Sequence, residues 1–335
     1  MDIIDIFNQD AFGAVSLTEK INKYPYKPGR IGSMGLFGAA RGITTPTLAI
    51  HEKFGRLKLI ETSARGEQKQ FRRNNRGRLK HFAVPHLEEN DAIMADEVIG
   101  ARLFGESPGD PSPAAIASIV TDKMTNLRME HELTWEYHML GAVKGQVLDA
   151  DGTQVIYDWH QEFNVTKATF AYTGDLAQVC REVKRHMART LGSINNNGNI
   201  RIHCFVGADF MDKVASDATV KADYQRYLDG KRLRDNAAHD IFSYQGIDFE
   251  EYLGYFDDGT PFVEDGKGHA FPTGTDRFIH RNAPADMIEA AGSVGLPLYS
   301  HQEPKRGRKG IDLFTQSNPI YMCTQPAILV EIQIA

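Results

Sequence analysis

The sequence is poor in the features that announce chemistry. Only three of its 335 residues are cysteines, Cys180, Cys204 and Cys323. An odd number without close spacing excludes a disulfide framework and a cysteine-based zinc knuckle, and predicts folding in a reduced, cytoplasmic environment. Long hydrophobic runs are missing as well. No stretch approaches the roughly 18 apolar residues of a membrane-spanning helix, and the opening "MDIIDIFNQD" carries acids where a secretory signal carries positive charge. The glycines of "GSMGLFGAARG" (32–42) match neither the dinucleotide fingerprint nor a phosphate loop with its Lys-Ser/Thr, and read instead as a flexible link. No nucleophile elbow and no Cys/His pair at catalytic spacing occurs.

Histidine offers no better lead. "HEL" at 131–133 suggests a zinc-binding helix, but a zincin needs its second histidine at i+4. Here the next one is His138 at i+7, about 10.5 Å along a helix axis and out of reach of a shared zinc. His160 beside Asp158 and His280 beside Arg281 read as surface or hydrogen-bonded residues, and Glu250, Glu251, Asp257 and Asp258 as a solvated acidic face. Nothing in the chain argues for catalysis, for a cofactor or for a metal.

What the sequence does have is segregated charge. With 41% hydrophobic and 24% charged residues it is an ordinary globular chain of net charge −6. Yet "RGEQKQFRRNNRGRLKHF" (65–82) sets Arg65, Lys69, Arg72, Arg73, Arg76, Arg78 and Lys80 against one glutamate. The remainder therefore sums to roughly −12. Three readings compete for this run: a salt-sensitive contact with nucleic acid, a solvated loop, or a positive tip that docks on the acidic body of another copy. The third also accounts for the acidity of the rest, and such a heterologous contact closes into rings.

The run sits at the turn of a long ribbon. Thr44 to Ile60 reads as a strand with a change of parity near Gly55, and 77–87 as its return. Two arms of this length project roughly 35–50 Å, more than an isolated hairpin sustains in water. The punctuated segment before it is an arm with a short helix within "DIFNQDAFGAVSLTEKIN". Behind the ribbon comes the longest helix, opened by Ser112 and Pro113, with Ile116, Val120, Met124 and Leu127 on one face and Leu133, Tyr137 and Leu140 continuing on a shifted one. "QVLDADGTQVIYDW" predicts a β-hairpin with a type I′ turn at Asp151-Gly152. Leu176 to Leu191 is an amphipathic helix closed by Gly192. "NIRIHCFVG" is a buried strand, "ADFMDKVASDATVKADYQRYL" a second helix, and Ile328, Val330, Ile332 and Ile334 belong to a closing strand.

Arm, ribbon, spine helix, hairpin, α+β insertion and closing strands, in that order, resemble the Hong Kong 97-type capsid fold of tailed phages. More narrowly, the chain is similar to the lambda-type major capsid protein E family, the ending "LFTQSNPIYMCTQPAILVEIQIA" being the most telling local match. The resemblance implies an α+β fold with an N-terminal arm at 1–43, an E-loop β-hairpin at 44–90, and a P-domain at 91–172 that holds a spine helix at about 112–142. An A-domain at 173–310 and C-terminal strands at 311–335 returning to the P-domain complete it. It implies a non-enzymatic head protein that forms hexamers and pentamers of an icosahedral shell, assembled in the host cytoplasm and resident in the virion. Its partners would be a separate scaffold protein, a portal, a decoration protein and packaged DNA on the inner face, with no membrane. Family E-loops lie over an adjacent subunit, which favours the docking reading of the seven basic residues. The alternative is a nucleic-acid-binding protein that uses the loop 65–82.

Overall fold

The computed structural model describes residues 12–52, 78–99, 113–192, 200–226 apart from 219, 222 and 224, 241–256 and 258–335. In chain order the first elements are α1 (Ala14–Lys23), α2 (Arg30–Met34), β1 (Arg41–Gly42), β2 (Thr47–Glu52), β3 (Arg78–Ala83), β4 (Leu87–Met94) and α3 (Ala95–Ile99). The middle of the chain holds α4 (Pro113–Lys144), β5 (Gln146–Leu148), β6 (Val155–Asp158), α5 (Trp159–Glu162), β7 (Ala168–Tyr172), α6 (Leu176–Leu191), β8 (Arg201–Val206) and α7 (Ala208–Ser216). The strands β9 (Ile241–Tyr244), β10 (Ile247–Glu251), β11 (Lys267–Thr273), β12 (Phe278–Asn282), β13 (Tyr299–Pro304), β14 (Gly310–Ser317), β15 (Pro319–Cys323) and β16 (Val330–Ile334) complete it. By their contacts the residues divide into two compact units, 1–50, 81–139 and 279–321 in one, 51–80, 140–278 and 322–335 in the other.

The first unit is built on α4 and a three-stranded antiparallel sheet in the order β13-β14-β4. Strand alternation gives the sheet two faces. Ile93, Ile311, Leu313, Thr315 and Ser317 are buried on the face that meets α4. There Trp135 donates to the Ser317 hydroxyl at 3.1 Å, and Lys123 reaches Asp91 at 3.2 Å. Glu88, Asn90, Phe314 and His301 project from the opposite face and are half-buried to exposed. β4, "LEENDAIM", is a strand that composition hides: Glu, Asn and Asp are poor strand formers. Eight register pairs with β14 hold it in place.

Ile116, Val120, Met124 and Leu127 are buried as their spacing predicts. The shifted face expected for the second half of α4 forms in part: Leu140 is buried and Tyr137 half-buried, but Leu133 is 60% exposed. Its place is taken by Arg128, His131, Glu132, Trp135 and Glu136, all buried. This half of the helix therefore buries polar side chains bonded to backbone and hydroxyl groups beside the apolar Trp135, Met139, Leu140 and Val143. The glycine segment 32–42 is likewise no flexible link. Ile31, Leu36 and Phe37 are buried, and Phe37 packs edge-on against Tyr321. β1 pairs in parallel with the end of β12, where a side chain on Gly42 would stand 2.3 Å from the Gly295 carbonyl oxygen.

The second unit carries a six-stranded sheet in the order β7-β16-β11-β8-β10-β9. α6 and α7 lay Val179, Val183, Met187 and Phe210 on a core that includes Val206 and Phe249. α6 begins where Asp175 accepts from the Gln178 backbone N–H, a cap the sequence reading did not single out, and ends at Gly192 as expected. α7 stops at Ser216, before the extent read from the sequence. The two-residue turn with both φ angles positive lies at Gln245-Gly246, between β9 and β10. In the β5–β6 hairpin only Gly152 has positive φ; pairing ends at Leu148 and Val155, and the Asp151 carboxylate accepts from the N–H groups of Thr153 and Gln154. The expected type I′ turn is thus replaced by a longer loop, because the aspartate finds its partners ahead of it rather than adopting the left-handed conformation.

Candidate assembly interface

Of the seven basic residues singled out in the run, Arg65, Lys69, Arg72, Arg73 and Arg76 lie outside the described residues. Arg78 and Lys80 fall on β3, which pairs with β2 as a two-stranded ribbon. This is the hairpin expected from the sequence, and the parity change near Gly55 lies outside the described residues. Lys80 is engaged within the chain: its ammonium donates to the Glu162 carbonyl oxygen and stands 4.9 Å from the centre of the Phe163 ring.

The arm is held by carboxylates of the spine helix, which sequence reading missed. Glu136 accepts the backbone N–H groups of Ile31 and Gly32, the latter at 3.0 Å. These belong to the first turn of α2, whose donors have no partner inside the helix. One turn earlier, Glu132 accepts from the Lys27 N–H at 3.2 Å and pairs with Arg128 at 2.7 Å. Arg128 also donates to the Ile21 carbonyl at the arm's first helix. Gly29 is required here, since a methyl group would fall 2.4 Å from the Glu136 carboxyl carbon. Burial, with Glu136 and then Glu132 beside it, pushes the Tyr26 phenol up to about 12. The signal in the sequence was the i, i+4, i+8 spacing of Arg128, Glu132 and Glu136, which reads as ordinary helix-surface charge until its partners are known.

Of the groups read as surface or hydrogen-bonded, His280 bonds the Asn282 side chain at 2.8 Å and Asp258 is exposed, Glu251 is half-buried, Asp257 lies outside the described residues, and His160 and Glu250 are interior. Glu250 is buried beside His203, with 3.0 Å between the His203 Nε2 and a Glu250 carboxylate oxygen, so it does not belong to a solvated face. His160 is buried against Gly145, and His280 stacks on Tyr321 at 4.3 Å. His131 contacts the Thr315 hydroxyl at 3.0 Å, and burial lowers its pKa to about 4. The second unit also carries an ionic group: the half-buried Lys144 lies 3.0 Å from the exposed Glu264 and donates to the Phe262 carbonyl. Burial raises the Glu264 pKa, but the His269 ring and the Lys144 ammonium outweigh it and leave the carboxyl well below its usual range. Among the described residues no group of three or more His, Cys, Asp or Glu side chains is placed to hold a metal ion, and no helix is long and apolar enough to cross a membrane.

Residues 13–334 match the model of a family described as phage major capsid protein E. The chain is 26% identical to the major capsid protein of Salmonella phage Felix O1, with 96% of each chain covered. It is 25% identical to that of Pseudomonas phage KPP10 over 96% of this chain and 97% of the other. In fold it is similar to the crystal structure of a putative capsid protein of a prophage of E. coli CFT073, at a TM-score of 0.55 and 15% identity over 96% of this chain and 99% of that one. A spine helix beside an antiparallel sheet, an arm gripped by that helix, a ribbon and a sheet-and-helix unit are thus the Hong Kong 97-type capsid fold, and with a family match over nearly its whole length the chain belongs to the phage major capsid protein E family.

Proposed function

We propose that the chain is the repeating subunit of an icosahedral phage head, arranged in hexamers and pentamers, and that its role is structural rather than catalytic. The observation that carries this reading is the family match across residues 13–334. In this reading the arm occupies 1–43, the E-loop 44–90, the P-domain 91–172 and the A-domain 173–310, with 311–335 as the closing strands. The basic run Arg65, Lys69, Arg72, Arg73 and Arg76 docks on an adjacent subunit together with Arg78 at the start of β3, whereas Lys80 is held within its own chain by Glu162 and Phe163. The charge segregation supports it, because a run of net positive charge has a complementary body in every other copy. Assembly takes place in the host cytoplasm with a separate scaffold, around a portal, and the finished shell encloses DNA and accepts a decoration protein.

The test is particle size, by light scattering and electron microscopy, for wild type and for R72E/R73E/R76E/R78E, each co-expressed with the genes adjacent to this one. Shells from wild type and their loss in the variant are expected. A wild type that stays monomeric beside its scaffold would overturn the head-protein reading. Shells from the variant would overturn the docking role of the run.

A further inference from the structure

The outward face of α6 is basic. Arg181, Lys184, Arg185 and Arg189 fall close together in "REVKRHMAR" (181–189), and Glu182 is the only acid from Leu176 to Leu191. The helix turns Val179, Cys180, Val183, Met187 and Leu191 to the core of the second unit, which leaves the three arginines exposed on the other side. They stand at i, i+4 and i+8 and so form one ridge, with a step of about 6 Å and a length of about 12 Å. Lys184 flanks the ridge and donates to the Gln245 carbonyl at the β9–β10 turn. Glu182 flanks it as well, three residues from Arg185, but takes the Gln178 amide at 3.0 Å. Among the described residues Arg181, Arg185 and Arg189 have no ion pair and no side-chain hydrogen bond.

Folding does not account for this face. Like charges at i, i+4 weaken a helix, and of the three arginines only Arg189 stands in the last turn, where a cation favours the helix dipole. Nor does the face suit a protein partner. The core of a protein interface is apolar with aromatic anchors, whereas α6 exposes no large hydrophobic side chain. An interface with nucleic acid is polar and strongly positive, and arginine bonds a phosphate through two parallel N–H groups. In a chain of net charge −6 a polyanion is repelled by the body and gains only where cations are concentrated.

We infer that the ridge of Arg181, Arg185 and Arg189 is a contact for the phosphate backbone of double-stranded DNA, made without regard to base sequence. The inference rests on the head-protein reading, which gives the chain an enclosed genome, and it assigns a surface that meets that genome. Each arginine neutralises a phosphate, so the contact is salt-dependent and repeats with every copy of the chain.

Fluorescence anisotropy with a short labelled DNA duplex tests it. The parent is the full chain carrying R72Q/R73Q/R76Q/R78Q, so that the basic run does not compete. It is expected to bind duplexes of unrelated sequence equally, with log K falling against log salt at a slope of about −2.7, the value for three neutralised phosphates. Adding R181Q/R185Q/R189Q is expected to weaken binding at low salt at least about tenfold, whereas R181K/R185K/R189K keeps the slope. K23Q/K213Q/K221Q removes the same charge from exposed lysines elsewhere and is expected to change binding by less than about twofold, since remote charges are screened. No binding by the parent, equal binding after R181Q/R185Q/R189Q, or an equal loss in K23Q/K213Q/K221Q would overturn the inference. If R181Q/R185Q/R189Q fails to fold by circular dichroism, R185Q alone decides: a slope shallower by about 0.9 supports the ridge and an unchanged slope overturns it. Shell formation is scored separately, with the basic run intact. Shells from wild type but none from R181Q/R185Q/R189Q, with DNA binding unchanged, would give the face to an acidic surface of another copy and overturn the inference while the head-protein reading stands. A wild type without shells would sink the head-protein reading alone, because the ridge is judged by its DNA binding.

Discussion

Glu136 gives one carboxylate to two donors, the N–H groups of Ile31 and Gly32, and so fixes the arm to the spine by a bond that no apolar contact replaces. Glu136→Ala leaves both N–H groups unpaired, and we expect it to cost about 1–3 kcal/mol, read as a lower midpoint in urea and faster proteolysis within residues 24–34. Gly145 is equally specific. Its φ is +85°, and a methyl group there would lie 2.1 Å from the His160 Cε1 atom. Gly145→Ala should cost about 3 kcal/mol or more by combining strain with overpacking. The buried histidines set a pH dependence. His131 and His280 have folded pKa values of about 4 against 6.5 unfolded, burial being the main cause in each. Between those values the unfolded chain binds more protons, so stability is full above pH 6.5 and falls as the pH drops to about 4. Melting temperatures across this window should decline, and less steeply in His131→Gln, which retains a hydrogen-bonding group for Thr315. An identical slope in the variant would remove His131 from the explanation.

At the scale of elements, the sequence was most legible where local signals agree with burial. α6 was read from Leu176 to Leu191 because its apolar stripe and its closing glycine coincide, while its cap, Asp175, went unread. The ribbon was read from its strand pattern on both sides of a charged turn. β4 escaped because its residues are poor strand formers that are held by pairing with β14, more than two hundred residues away, which no local pattern reports. The arm's anchorage escaped for a related reason: Arg128, Glu132 and Glu136 look like solvated helix charges, and only the folded chain shows what they hold. Glu250 was misplaced by the same habit of assigning acids to the surface. The ribbon itself gives an element-scale prediction. Replacing residues 54–76 by Asn-Gly, a turn that suits a two-residue hairpin, should leave the subunit folded by circular dichroism and unable to form shells. Shells from the shortened chain would refute a docking role for everything beyond β2 and β3.

For the whole molecule the charge map decides behaviour in salt. A contact between the basic run and the acidic body of another copy weakens as the Debye length shrinks from about 10 Å at 0.1 M to about 3 Å at 1 M. We therefore expect the assembled fraction, measured by light scattering, to fall over that range before the subunit unfolds; no change up to 1 M would place the assembly energy in apolar contacts instead. A different consequence follows from the position of β16 between β7 and β11. Val330 faces Ala168 across a parallel pair, a partner made roughly 160 residues earlier, and non-local closures of this kind are slow. During synthesis β7 must wait, unpaired on that edge, until the ribosome has delivered residues 330–334. The chain is thereby timed: the second unit is completed only when almost all of its residues have left the ribosome, so nascent chains, crowded together on one messenger, hold an unfinished unit at the moment when premature joining would be most damaging.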